Sequence, residues 1–271
     1  MKSTFVISSL TLGMLLCMTF LSACSGDEEN ANEINNNPSR HIVKISYGNG
    51  NSIEETTYDY DNHGRVIMAT ETWITSNSSI SATTTYTYGG STIISNTQGD
   101  FDRGSCTYSL SADGLIVKSA ENSYAGSSYS YTHSYDKDGY LISQSFNDID
   151  GFFSGKILYN WEDGNLTKIA KYDDDGGSYI LTIDYSSIPW PKNWMLYWKG
   201  TNMDEVFELI GAWGKMPKFL PNKFTYDYGD GWTIDYVIEK GEIVKVVFRD
   251  LEDTDKSASE VYTVEWEDDN F

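Results

Sequence analysis

The phrase Tyr135-Asp136-Lys137-Asp138-Gly139-Tyr140-Leu141-Ile142 returns in variant form along most of the chain and reads as strand, tight turn, strand. Close copies occupy residues 60–67, 108–116 and 159–166, and looser ones 86–90, 228–232 and 238–242. Asp and Asn bond their own backbone and tolerate the left-handed region, and glycine enters it without steric cost. Asp-Gly between alternating apolar runs is therefore a hairpin signal. Gly64, Gly90, Gly114, Gly139 and Gly164 recur about every 25 residues, a period that marks repeat architecture. Each unit has room for two strands and two turns, which disfavours a propeller, whose blades need about 40–50 residues.

From residue 41 to 185 candidate strands follow one another with little between them, beginning 41–47, 52–60 and 65–74 and ending 165–172 and 178–185. Thr, Ser, Tyr, Val and Ile dominate, a composition that suits a pleated, half-buried surface. Tyr129, Tyr131, His133 and Tyr135 share one face, as do Tyr179, Leu181, Ile183 and Tyr185, so the sheet has a drier and a wetter side. Ile188-Pro189-Trp190-Pro191 breaks the pattern, because two prolines exclude a central strand. Beyond it, Thr201 or Asn202 can cap a helix over about 202–213, with Asp204 and Glu205 in its first turn. Val206, Leu209, Ile210 and Trp213 would lie on one face of that helix and pack on the sheet. Strands resume at 223–228, 232–239, 242–250 and 259–266. The expected fold is all-β, an up-and-down antiparallel meander of about 16 strands closing into a large barrel, with the one short helix packing on or capping it.

The first residues lie outside that fold. Residues 1–24 read as a lipoprotein signal peptide, in which Lys2 precedes a mainly apolar run over 6–21, short of the roughly 20 residues of a spanning helix. Leu21-Ser22-Ala23-Cys24 matches the bacterial lipobox, which assigns lipidation to Cys24. Residues 25–40, an acidic start followed by an Asn-rich stretch, read as a flexible tether, and 41–271 as a single barrel-like domain. With 40 Asp+Glu against 19 Lys+Arg the net charge is -21, which repels phosphate backbones and excludes nucleic acid as a partner. Attachment to a membrane then falls to the lipid on Cys24, not to charge. A lipid-spanning barrel is disfavoured, because Thr263, Glu265, Glu267 and Asp269 alternate where the last strand would need apolar residues.

Catalytic chemistry is sparse. His41, His63 and His133 are scattered, and no motif sets a nucleophile beside a base. Cys17 lies in the signal and Cys106 reads as a small strand hydrophobe. No catalytic residue, metal site or cofactor is assigned. Asp173-Asp174-Asp175-Gly176-Gly177 and Asp148-Ile149-Asp150-Gly151 gather carboxylates of the kind calcium prefers, but neither continues to the distal bidentate Glu of a calcium loop. Asp173, Asp174 and Asp175 are therefore weak calcium candidates. Trp190, Trp194, Tyr197 and Trp198 fall in one short stretch and are the candidate ligand-binding residues, since flat aromatic faces stack on sugar rings. The competing reading is that these rings fill the barrel.

The Tyr-Asp-x-Asp-Gly-x-Leu/Val unit, the helix and Gly214-Lys215-Met216-Pro217-Lys218-Phe219-Leu220-Pro221-Asn222-Lys223-Phe224-Thr225-Tyr226 are similar to Bacteroidetes lipoproteins of a domain family of unknown function with a porin-like fold. The similarity covers roughly residues 42–266. It implies a porin-like β-barrel and is nearly silent on activity. Ser25-Gly26-Asp27-Glu28-Glu29 resembles the export signal that sends such lipoproteins to the outside of the outer membrane, which implies a Gram-negative cell surface. Residues 58–66 also resemble, distantly, the tyrosine-aspartate repeats of toxin and adhesion shells. The resulting expectation is a monomeric, surface-anchored, non-catalytic binding module for a glycan or other nutrient ligand. Alternatives are a structural lipoprotein that docks on another envelope protein, and a hydrolase built on scattered carboxylates.

Overall fold

The computed structural model describes residues 40–48, 52–100, 103–123, 128–148, 154–194, 211–251 and 259–268. They form sixteen strands: β1 (Arg40–Gly48), β2 (Ser52–Tyr60), β3 (Val66–Thr75), β4 (Ser79–Tyr88), β5 (Thr92–Gly99), β6 (Arg103–Leu110), β7 (Ile116–Ser123) and β8 (Ser128–Tyr135), then β9 (Leu141–Asp148), β10 (Ser154–Glu162), β11 (Asn165–Asp173), β12 (Ser178–Pro189), β13 (Phe219–Tyr226), β14 (Gly231–Glu239), β15 (Glu242–Asp250) and β16 (Ser259–Asp268). Each pairs antiparallel with its neighbours in sequence, and β1 pairs with β16 to close the barrel. Closure leaves no strand edge exposed. The chain enters β1 and leaves β16 at the same end, here the entry end; the opposite one is the far end.

Local chemistry explains the entry-end turns. Asp61 Oδ1 accepts from the amides of His63 and Arg65, and Asp136 Oδ1 from those of Asp138 and Tyr140, while Ser111 Oγ does the same for Asp113 and Leu115. The acceptor is thus the residue that opens the loop, and the glycine near its end supplies positive φ: 72° at Gly64, 80° at Gly114 and 87° at Gly139. Two other turns are tighter. Asp163-Gly164 (φ 51° and 82°) and Lys240-Gly241 (φ 53° and 83°) are positive at both central residues, as a type I′ hairpin requires.

Beside five of these turns the register slips, between Asp59 and Tyr60, Ser109 and Leu110, Ser134 and Tyr135, Asn160 and Trp161, and Val237 and Ile238. The slip is a β-bulge, which keeps an aromatic or aliphatic residue and its aliphatic partner both facing inward. The inward aromatics then bond across the far-end hairpins. Tyr60, Tyr88, Tyr135 and Tyr185 donate their hydroxyls to the carbonyls of Ile42, Val66, Ile116 and Leu166 at 2.6, 2.7, 2.8 and 2.9 Å. Trp161 Nε1 reaches Leu141 at 2.8 Å, Tyr236 reaches Pro221 at 2.8 Å, and Trp266 Nε1 reaches Ile243 at 2.9 Å. The corresponding place on β6 holds Leu110, which has no donor to offer Ile93 of β5.

The helix expected over about 202–213 is corrected at its end. Among the described residues there is no helix; residues 211–213 form a turn closed by the Gly214 amide on the Gly211 carbonyl at 3.0 Å. Gly211 and Gly214 have φ of 68° and 86°, which a right-handed helix cannot contain. Residues 202–210 lie outside the described residues. The proline break is also narrower than the sequence implied: β12 runs to Pro189 and β13 includes Pro221, with register shifts at Tyr185/Pro189 and Asp184/Tyr185 absorbing the missing donors.

Inward positions build the core, with Val66, Ile93, Ile116, Leu141, Ile169, Ile234 and Ile243 among its most buried members. Outward positions are largely polar, with exposed apolar residues such as Ile53, Ile94, Ile142 and Val237 scattered among them. The outward residues of β4 are Ser79, Ser81, Thr83, Thr85 and Thr87, and those of β8 are Ser128, Ser130, Thr132 and Ser134. No described helix is long and apolar enough to cross a membrane, which says nothing of a barrel, since a barrel crosses with strands. A lipid-facing wall has an apolar band about 25 Å tall, and on β4 and β8 the outward residues at that level carry hydroxyls.

Candidate functional site

The connection between β12 and β13 packs over the entry end through its described parts, residues 190–194 and 211–218. Asn193 Nδ2 donates to the Arg40 carbonyl at 2.7 Å, and the Ile116 amide donates to Ala212 at 2.9 Å. The Lys215 amide donates to Gly139 at 3.0 Å, and the Lys218 amide to Gly164 at 3.1 Å. Contacts therefore reach from β1 to the β10–β11 turn. Trp194 is only 3 % exposed and stacks on Trp266, ring centroids 6.4 Å apart; Trp213, 2 % exposed, meets His133 edge-on at 5.0 Å. Trp190 is half-buried against the core, its amide donating to Lys218 at 2.9 Å. Tyr197 and Trp198 lie outside the described residues. The two described members of the predicted aromatic stretch thus have their rings packed inward at the entry end.

A polar belt crosses the middle of the lumen on one wall, where Ser95, Ser119, His133 and Gln144 are buried. Tyr159 donates to Gln144 Oε1 at 3.1 Å. Ser119 Oγ lies 3.3 Å from His133 Nε2, a serine and histidine juxtaposition that the sequence does not announce, because only the β7–β8 register creates it. Burial pulls the His133 imidazole down to about 4, and among the described residues its Nδ1 has no hydrogen-bond partner of the kind that orients a catalytic histidine.

Toward the far end the inward-facing residues become more exposed and aromatic. Inward-facing Trp73 is 45 % exposed and Ile80 37 %. On one side Tyr47 stacks on Tyr262 at 5.0 Å, Phe248 meets Tyr262 edge-on at 5.5 Å, and Tyr47 stands opposite Glu54, which stands opposite Trp73. On the adjoining wall Tyr226 contacts Tyr179 at 5.4 Å, Tyr228 at 4.9 Å and Trp232 at 5.8 Å. Carboxylates interleave with the rings. Asp250 pairs with Trp232 and Glu260 with Phe248, both on inward positions. Burial raises the Glu54 carboxyl, and burial followed by the Glu260 and Glu54 charges raises the Tyr47 phenol. Tyr179 is pushed up to about 12 by burial, then by Tyr226 and Asp173. The result is an arc of aromatic faces and hydrogen-bond acceptors running from β12 round to β3.

Two solved crystal structures share this barrel. One, a porin-like protein from Bacteroides uniformis, superposes with a TM-score of 0.64 at 16 % identity and covers 83 % of this chain and 98 % of its own. The other, a porin-like protein from Bacteroides vulgatus, gives a TM-score of 0.56 at 14 % identity with the same coverages of 83 % and 98 %. At that identity the likeness shows the fold, a porin-like β-barrel. No known family profile matches the chain, and no curated protein matches it in sequence.

The remaining predicted positions serve turns and packing. Asp175 Oδ1 accepts from the Gly177 amide at 3.1 Å, Asp174 accepts from Ser154 Oγ, and Asp173 sits 3.3 Å from Lys171 Nζ. Among the described residues no group of three or more His, Cys, Asp or Glu side chains is placed to hold a metal ion. Asp150 lies outside them. His41 stacks on Tyr60 at 4.4 Å, His63 lies in the β2–β3 turn, and Cys106 packs half-buried against the core.

Proposed function

We propose that this chain is a non-catalytic binding module, held to the envelope by a lipid on Cys24, which takes a glycan or similar hydroxylated nutrient at its far mouth. The observation that carries the reading is the arc Tyr47, Tyr262, Tyr179, Tyr226, Trp232 and Trp73, with Glu54, Asp250 and Glu260 between the rings. Aromatic faces offer apolar contact to the C–H face of a sugar, and carboxylates accept from its hydroxyls. Trp190 and Trp194, the described members of the aromatic stretch, pack toward the core, whereas the far mouth presents exposed rings such as Trp73, which favours the far mouth as the ligand's place. The outward hydroxyl wall supports a barrel that stands in water beside its membrane.

A thermal-shift screen of the leaderless chain against soluble oligosaccharides and polysaccharides tests this. A ligand at 100 times its Kd adds about 2.7 kcal/mol to the folded state, enough to raise Tm visibly. The expected result is a shift with at least one glycan that is lost in Trp73→Ala and kept in Trp190→Ala. A shift lost only in Trp190→Ala would place the ligand at the entry end, and no shift with any glycan would favour a docking lipoprotein.

A further inference from the structure

We infer that the barrel stands with its packed entry end against the headgroups of the bilayer that holds its own lipid, and its aromatic far mouth turned away from them. This rests on the lipid-anchor reading above. Two separate observations carry it. First, the chain joins the barrel at Arg40 and leaves at Asp268, paired residues at the entry end, so a lipid on Cys24 is connected to the barrel from that side.

Second, the described turns divide by charge. Arg65, Lys137, Lys192, Lys215, Lys218 and Lys240 all lie at the entry end, among Asp61, Asp113, Asp136, Asp138 and Asp163 and the strand-end carboxylates Glu162, Glu239, Glu242, Glu267 and Asp268. The described far-end turns carry Asp100, Asp174, Asp175, Asp227 and Asp230 and no lysine or arginine. The five entry-end lysines are exposed, while Arg65 is tied to Asp61 at 2.6 Å. In a chain of net charge -21, the entry end is the one an anionic surface repels less, because its exposed lysines offset much of its acid, and the far end is the one it repels more. The orientation also delivers the aromatic arc to whatever lies beyond the membrane, where a large ligand has access to it.

The test uses the full chain, expressed with its leader, carrying Cys106→Ala and a single fluorescent label at either Asp138→Cys (entry end) or Asn77→Cys (far end). The protein is reconstituted in vesicles containing anionic lipid and nitroxide-labelled headgroups. Asp113→Cys serves as a second entry-end position should Asp138→Cys fail to fold. The expected result is loss of emission at the entry-end label and little loss at Asn77, with the contrast reduced by Lys137→Glu, Lys192→Glu and Lys240→Glu together. Equal quenching at both ends, or stronger quenching at Asn77, in a chain that floats with the vesicles and stops floating in Cys24→Ala overturns the orientation alone. A chain that does not float overturns the lipid-anchor reading and the orientation with it.

Discussion

The phenol of Tyr185 donates to the carbonyl of Leu166 at 2.9 Å, joining β11 and β12 at the end of their hairpin where no turn holds them. A two-stranded hairpin is marginal alone, and its open end is where it frays first. Tyr185→Phe keeps the ring and its packing but leaves the buried carbonyl one partner short. The expected loss is about 1 kcal/mol, read from urea unfolding, with a similar loss for Tyr60→Phe and near-additivity for the pair because the two clamps sit on strands far apart in the barrel. No change in either single variant would mean the hydroxyl bonds are geometric accompaniment to packing.

The connection offers a steric test. A Cβ on Gly214 would come within 2.3 Å of the Gly139 carbonyl, the atom that the Lys215 amide bonds, and φ there is 86°. On Gly139 itself, at φ 87°, a Cβ would meet nothing within 4 Å. Gly139→Ala should therefore cost only the left-handed strain, about 1–2 kcal/mol, whereas Gly214→Ala adds a backbone clash and should cost more. Thermal unfolding of the two variants side by side decides it; equal losses would show that the connection is not held against the β8–β9 turn.

These two cases mark what the sequence could and could not tell. The strand pattern was legible because a turn such as Asp136 to Tyr140 is made by its own residues, and alternation such as Trp232, Ile234, Tyr236, Ile238 states which side is dry. The clamp was not, since Tyr185 and Leu166 meet only once the strands are in register. The expected helix cannot run to Trp213 for a physical reason: Val206, Leu209, Ile210 and Trp213 satisfy a helical spacing, but Gly211 and Gly214 take positive φ and turn the chain so that Trp213 is buried against His133. The Trp190 to Trp198 cluster drew notice because it is dense in sequence, and Trp194 and Trp190 prove to be rings packed into the barrel end. The far arc gathers Tyr47, Tyr179 and Tyr262, residues that no local window contains and only barrel closure brings round.

Acid should loosen the barrel through His133. Its ordinary value of 6.5 is lowered to about 4 by burial, so between those values the unfolded chain takes up a proton that the folded one refuses. The contribution is complete above about pH 6.5 and lost as pH falls toward 4, at most about 3 kcal/mol. Glu54, whose carboxyl burial raises, tilts weakly the other way. His133→Gln should flatten the dependence of urea stability on pH across this window. An unchanged slope would assign the acid sensitivity to carboxylates.

The outward wall predicts how the chain behaves without lipid. On β3 and β4 the outward Thr70 and Thr83 hydroxyls lie 3.2 Å apart, within a row of hydroxyls continued by Thr72, Ser81 and Thr85. Each hydroxyl pressed into hydrocarbon without a partner would cost several kcal/mol, and scattered outward apolar residues such as Ile94 and Ile142 cannot offset a wall of them. The leaderless chain should therefore remain dispersed in detergent-free buffer and sediment as a compact species, with detergent making no difference to its unfolding temperature. Precipitation that detergent reverses would show instead that hydrocarbon is this wall's natural surroundings, and would return the chain to the membrane-spanning barrels that its strand number resembles.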